Sequence, residues 1–152
     1  MATAPKPGER YRGTEGHLGF LLRQAQHTFA TAMEQALREH ELTSPQFGVL
    51  SVLVADPGLS AADLARAAMV TPQAINLLVA SLERDGLIRK KTHPRHGRVL
   101  QLFPTDAGVR RVRDAYPAVI ELEDRIAEGI PPRQLATIKR WLVAVATTMK
   151  KA

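Results

Sequence analysis

A proline at position 72, preceded by Thr71, divides the most strongly patterned stretch of this chain in two. The residue before a proline is pushed out of the helical region, whereas proline itself fits the first helical position, so Val70-Thr71-Pro72 must close one helix and open another. Upstream, Ser60 is placed to cap a short helix, with Asp63 at the reciprocal capping position and Leu59 and Leu64 spaced as a hydrophobic staple. Downstream, Ile75, Leu78, Val79 and Leu82 recur at helical spacing as far as Gly86, which comes after Arg84-Asp85 and suits a left-handed cap. Two short helices joined by a tight turn, the second running from about Thr71 to Arg84, have the layout of a helix-turn-helix.

Placed at about 100° per residue, the second helix gathers its four large apolar residues in one sector. Gln73, Asn76, Leu77, Ala80 and Arg84 fall on the other side. That outer face carries amides, small or apolar groups and one arginine, with no acid at its centre, and such a surface suits a DNA major groove. Gln73 and Asn76 offer paired donor and acceptor contacts to adenine, Leu77 or Ala74 can meet a thymine methyl, and the helix start at Thr71 and Pro72 can receive a phosphate. Ser60, at the start of the preceding helix, is a second candidate contact. The alternative is an ordinary solvated helix face in an all-helical domain.

The segment C-terminal to Gly86 weighs against that alternative. Ile88-Arg89-Lys90-Lys91-Thr92 and Arg98-Val99-Leu100-Gln101-Leu102-Phe103 flank the turn-forming His93-Pro94-Arg95-His96-Gly97, and this reads as a β-hairpin. Arg89, Lys90, Lys91, Arg95 and Arg98 crowd this hairpin, and no carboxylate appears between Gly86 and Phe103. A cationic run without interspersed acids has little to pair with internally and suits phosphates or a minor groove. Lys90, Lys91, Arg95, His96 and Arg98 are the candidate contacts of such a wing. His93 and His96 stand at a spacing that metals use, but with no cysteine or carboxylate nearby they are read as titratable wing residues.

Around this centre the chain is helical. Apolar residues from Leu18 to Leu37 recur at three- and four-residue steps, predicting a long first helix from His17 to about His40. Thr43 and Gln46 form a capping-box pair ahead of a helix that ends near Asp56-Pro57-Gly58. Pro104-Thr105-Asp106 opens a fifth helix that Pro117 is placed to bend, and Pro131-Pro132 opens a sixth, in which Leu135, Ile138, Leu142, Val145 and Met149 keep the spacing of a helix-packing seam. The expected fold is mainly α with a small β-hairpin: a winged helix-turn-helix of six helices.

Composition closes other routes. The chain of 152 residues has no cysteine, which excludes disulfides, thiol nucleophiles and Cys-containing zinc sites. Its net charge of +6 favours a polyanionic partner. No apolar run is long enough to span a bilayer and none has the form of a secretory signal, so the expected setting is the cytoplasm, on nucleoid DNA, with no membrane partner. No spacing of nucleophile, base or paired carboxylates suggests an enzyme, and no metal or cofactor is expected.

An ordered set of motifs carries a resemblance. Leu42-Thr43-Ser44-Pro45-Gln46-Phe47, Leu59-Ser60-Ala61-Ala62-Asp63-Leu64-Ala65, Leu82-Glu83-Arg84-Asp85-Gly86-Leu87-Ile88 and Pro104-Thr105-Asp106-Ala107-Gly108 resemble the MarR family of bacterial transcription regulators, over about residues 17 to 149. The resemblance implies a homodimer formed by the first and last two helices, binding palindromic DNA, usually as a repressor, and often released by small aromatic or phenolic acids. One departure stands out: the family's wing tip reads Asp-x-Arg, and here the stretch is His96-Gly97-Arg98.

The organisation read from these signals is one domain in three parts: a flexible arm at residues 1–16, dimerisation helices at 17–41 and 104–152, and a winged helix-turn-helix at 42–103. The stripes of the first, fifth and sixth helices exceed what so small a winged core can bury, which independently favours a dimer. Trp141 and Met149 then fall at the dimer interface, while Met33 and Met69 are expected in the core. Phe20, Gln24, His27, Phe47 and Leu50 are the candidate ligand-pocket residues, since the first and second helices would flank the cleft. Rival functions are an architectural protein binding DNA without sequence choice and a winged-helix module that binds other proteins.

Overall fold

Local capping signals set the helix boundaries in the computed structural model, which describes residues 3–149. Helix α1 (Leu18–Leu37) continues into a 3-10 turn, Arg38–His40, which ends where Glu41 turns left-handed. Helix α2 (Ser44–Ala55) opens with the complete Thr43–Gln46 capping box: the Thr43 hydroxyl accepts from the Gln46 N–H, and the Gln46 side chain accepts from the Thr43 N–H. In α3 (Ala61–Ala67) Ser60 caps through its hydroxyl, which accepts from the Asp63 N–H and donates to the Asp63 carboxylate at 2.6 Å. That hydrogen bond, aided by the adjacent Arg66, holds the Asp63 carboxyl below its ordinary value, against an opposing effect of desolvation.

Helix α4 (Pro72–Arg84) begins with Thr71 accepting from the Ala74 N–H and Pro72 in the first turn. Its end is tied by the Leu87 N–H donating to the Leu82 carbonyl while Gly86 takes φ +72°. Strands β1 (Ile88–Thr92) and β2 (Leu100–Pro104) pair antiparallel, with Lys90 opposite Leu102 and Arg89 opposite Phe103. The other edge of β2 bonds the loop before α3: the Leu102 carbonyl accepts from the Gly58 N–H at 2.8 Å, and the Leu102 N–H donates to the Leu59 carbonyl at 2.9 Å. Helices α5 (Asp106–Ala127) and α6 (Pro132–Met149) complete the chain. The start of α5 is pinned by Thr105, whose hydroxyl donates to the Gly86 carbonyl and accepts from the Gly108 N–H. Gly108 is required there, since a Cβ would stand 2.1 Å from the Leu87 carbonyl oxygen.

The winged core is built from Leu37, Val49, Leu50, Leu53, Leu64, Ile75, Leu82, Leu87 and Leu102, all essentially inaccessible to solvent. Burying side chains of this size contributes on the order of 1.5–3 kcal/mol each. Packing divides the described residues into two compact units, with the division inside α5 after Val119. In the first unit α1 buries Met33 and Leu37. In the second unit α6 has no buried residue at all.

The described part of the arm, residues 3–16, makes contacts with α1: Pro5 is buried, Tyr11 meets Phe20 edge-to-face at 5.8 Å, and Arg12 both donates to the Gln24 side-chain oxygen at 2.7 Å and accepts at its carbonyl from the Gln24 amide. Residues 1–2 of that arm lie outside the described residues. Met33 is in the core, but Met69 is 91% exposed, because it occupies the left-handed turn between α3 and α4 at φ +56° rather than the buried stripe of either helix.

Candidate nucleic-acid interface

Helix α4 is fixed by its inner face and free on its outer one. Ile75, Val79 and Leu82 are buried, and the Gln46 amide of α2 donates to the Ser81 hydroxyl at 2.9 Å, fixing the rotation of α4 against its neighbour. Thr71, Pro72, Gln73, Asn76, Leu77, Ala80 and Arg84 are all exposed, and Leu77 presents 75% of its surface to solvent. Neither Gln73 nor Asn76 has a side-chain hydrogen bond to another of the described residues, so both amides keep their full donor and acceptor capacity. Arg84 makes only loose contacts, at 3.5 Å to Ser81 and 3.9 Å to Asp85. Thr71 and Ser60 already accept as caps; the Thr71 O–H is left to donate to a phosphate oxygen, whereas the Ser60 O–H is given to Asp63, so a phosphate there would be met by neighbouring backbone N–H groups.

The wing is less uniform than its sequence. Lys90 is not free: its ammonium pairs with Glu83 of α4 at 2.9 Å, because the start of β1 runs back past the end of that helix. The absence of acids within the hairpin did not reveal a carboxylate arriving from outside it. Lys91 and Arg89 lie on the opposite face, with their charges 5.4 and 5.2 Å from the centre of the Phe103 ring. Arg95, His96 and Arg98 at the turn are exposed, and no ion pair holds them among the described residues. The surface thus joins an amide-bearing helix face with one arginine to a cationic turn, a combination that suits base edges on one side and phosphates on the other.

Comparison with known proteins decides between a winged-helix fold in general and one family in particular. The profile of the MarR family matches residues 40–99. The HTH-type transcriptional repressor Rv2887 of Mycobacterium tuberculosis is 34% identical over 125 residues, covering 82% of this chain and 90% of that protein. The chain belongs to the MarR family of transcription regulators. Among solved MarR-type folds, the transcriptional repressor CouR bound to a 23-mer DNA duplex superposes with a TM-score of 0.81 at 26% identity, over 95% of this chain and 99% of that one. Rv2887 in complex with p-aminosalicylic acid gives 0.69 at 31% identity, over 86% and 98%. The winged helix-turn-helix expected from the sequence is therefore the fold of this MarR-family chain.

The five pocket candidates separate. Phe20, Gln24 and His27 line one cleft of about 340 Å³ along α1, together with Arg12, Arg23 and Thr28. Phe47 and Leu50 do not reach it: both are buried in the winged core, where the inner face of α2 packs. Arg12 and Arg23 were missed. The proline- and glycine-bearing arm gave no periodic signal that it would fold back, and only the aromatic residues Tyr11 and Phe20 hinted at a contact. Among the described residues no helix is long and apolar enough to cross a membrane, and no group of three or more His, Asp or Glu is placed to hold a metal.

Proposed function

We propose that this MarR-family regulator is a repressor, not an enzyme, that acts in the cytoplasm and binds palindromic double-stranded DNA as a homodimer. The observation that carries this reading is the outer face of α4: Gln73, Asn76, Leu77, Ala80 and Arg84 exposed on a helix whose opposite face is locked in the core. In each subunit Gln73 and Asn76 read bases, the N-terminal turn at Thr71 and Pro72 and the α3 start at Ser60 meet phosphates, and Lys91, Arg95, His96 and Arg98 of the wing hold the flanking backbone or minor groove. Lys90 takes part by exchanging Glu83 for a phosphate. The solved complex of CouR with a DNA duplex supports the assignment.

The dimer rests on α6 and the end of α5. Ile126, Ile138, Trp141, Leu142, Val143 and Met149 are exposed there, an apolar surface that a second copy would cover. Two-fold symmetry then sets the recognition helices roughly 34 Å apart, one turn of DNA. The α1 cleft is the effector site in this reading. Arg12 and Arg23 supply cations and Phe20 an aromatic face, which together suit a small aromatic or phenolic acid; p-aminosalicylic acid, bound by Rv2887, has that chemistry. Such a ligand releases DNA only if it binds the DNA-free dimer shape more tightly.

Selection of sites from a random DNA pool by purified protein tests the reading. The expected result is a palindromic consensus with half-sites about one turn apart that retains a large preference over random DNA at physiological salt. Enrichment without a consensus would instead indicate an architectural DNA-binding protein.

A further inference from the structure

The turn of the wing is organised by one side chain, His93. Its Nδ1 accepts two backbone hydrogen bonds, from the Arg95 N–H at 3.1 Å and from the His96 N–H at 3.2 Å. This is the job that an Asp or Asn oxygen does in an Asx turn, bonding backbone two and three residues ahead. The remaining support is thin: the His93 N–H donates to the Val99 carbonyl at 2.9 Å and the Val99 N–H to the His96 carbonyl at 2.8 Å. Both exposed arginines of the tip, Arg95 and Arg98, ride on this turn. No acid at the wing tip is available to brace them, since position 96 is itself a histidine.

We propose that His93 is the positioning residue of the wing, holding the Arg95–Arg98 turn in its DNA-contacting form only while its imidazole is neutral. An imidazole accepts at Nδ1 only when its proton is on Nε2. A second proton occupies Nδ1, removes both hydrogen bonds and turns that atom into a donor facing two other donors. Free histidine makes this change between pH 5 and 8, near 6.5.

The surroundings offer the protonated ring no compensation. Its neighbours on the turn are Arg95, Arg98 and His96, the last with its ring centre 5.0 Å away. Strand β1 adds Lys91, and β2 carries no titratable group. Of the carboxylates near the hairpin, Glu83 of α4 pairs with Lys90, Asp63 of α3 with Ser60 and Arg66, and Asp85 lies 3.9 Å from Arg84, while Asp56, ahead of the segment that bonds β2, makes no bond to His93. No ion pair to His93 exists among the described residues. Acidification therefore loosens the turn while adding charge to it, exchanging an ordered contact for a less specific attraction to phosphate.

Two measurements test this, and the first does not depend on the DNA-binding reading. In the free protein, amide-proton protection at Arg95 and His96, corrected for intrinsic exchange, should fall severalfold between pH 7.5 and 5.5. In His93→Asn, whose oxygen can accept the same two bonds at any pH in this range, it should stay constant. Equal protection at both pH values in the wild type would overturn the proposal. The second measurement is affinity for the selected DNA site at pH 7.5. His93→Leu should bind about tenfold more weakly, the worth of roughly one or two net hydrogen bonds, and His93→Asn within about twofold of wild type. Wild-type affinity in His93→Leu, or equal loss in both variants, would reject the positioning role. Failure of the wild type to select any site would instead reject the DNA-binding reading and leave the first measurement standing.

Discussion

Helix α4 is held by the core along its inner face, whereas the turn of the wing is held by one imidazole and two backbone hydrogen bonds. In the function proposed above the two elements face the same partner. In α4 the cap at Thr71, the proline at 72, three buried apolar side chains, the Gln46–Ser81 bond and the left-handed Gly86 all specify one geometry. At the wing tip no side chain packs in the core, so its geometry depends on few contacts and on protonation. The contrast fits a division of labour in which a rigid helix face discriminates bases and a conditional cationic turn contributes affinity.

This contrast can be broken at several points. Leu82→Ala removes a fully buried side chain from the inner face of α4 and should cost about 2–5 kcal/mol of unfolding free energy in chemical denaturation. Arg95→Ala in the wing should stay within about 0.5 kcal/mol. Comparable losses in the two would mean that the wing is as integrated as the helix. A smaller and opposite effect is expected at the turn before α4. Met69 holds a strained left-handed backbone with no packing in return, so Met69→Gly should stabilise the protein by about 1 kcal/mol. A destabilised glycine variant would show that this turn draws on contacts of the thioether.

Much of the fold was legible because its signals are local. Thr43 with Gln46, Ser60 with Asp63, and Thr71 with Pro72 each act within one helical turn, and the structure uses all three caps, although Asp63 accepts from the Ser60 hydroxyl and returns no bond to the Ser60 N–H. The outer face of α4 was legible for a related reason: the helical period alone separates Gln73 and Asn76 from Ile75 and Val79. The features that sequence did not reveal depend on long-range approach. Glu83 reaches Lys90 only once the hairpin folds back along α4. Arg12 reaches Gln24 only once the arm lies on α1. Phe47 and Leu50 sat on the expected helix, but the core claimed their face of α2, leaving the α1 cleft to Phe20, Gln24, His27, Thr28 and two unforeseen arginines. His93 was visible as a titratable residue, while its role as an acceptor emerged only from the shape of the turn.

The central claim is that α4 reads sequence and the wing supplies backbone affinity, and parallel binding measurements on specific and random DNA over a range of salt test it most directly. Gln73→Ala and Asn76→Ala should each lose about 1–3 kcal/mol on the specific site and almost nothing on random DNA. Arg98→Ala should weaken both alike and reduce the salt slope by about 1. Equal losses on specific and random DNA for all three variants would contradict the account.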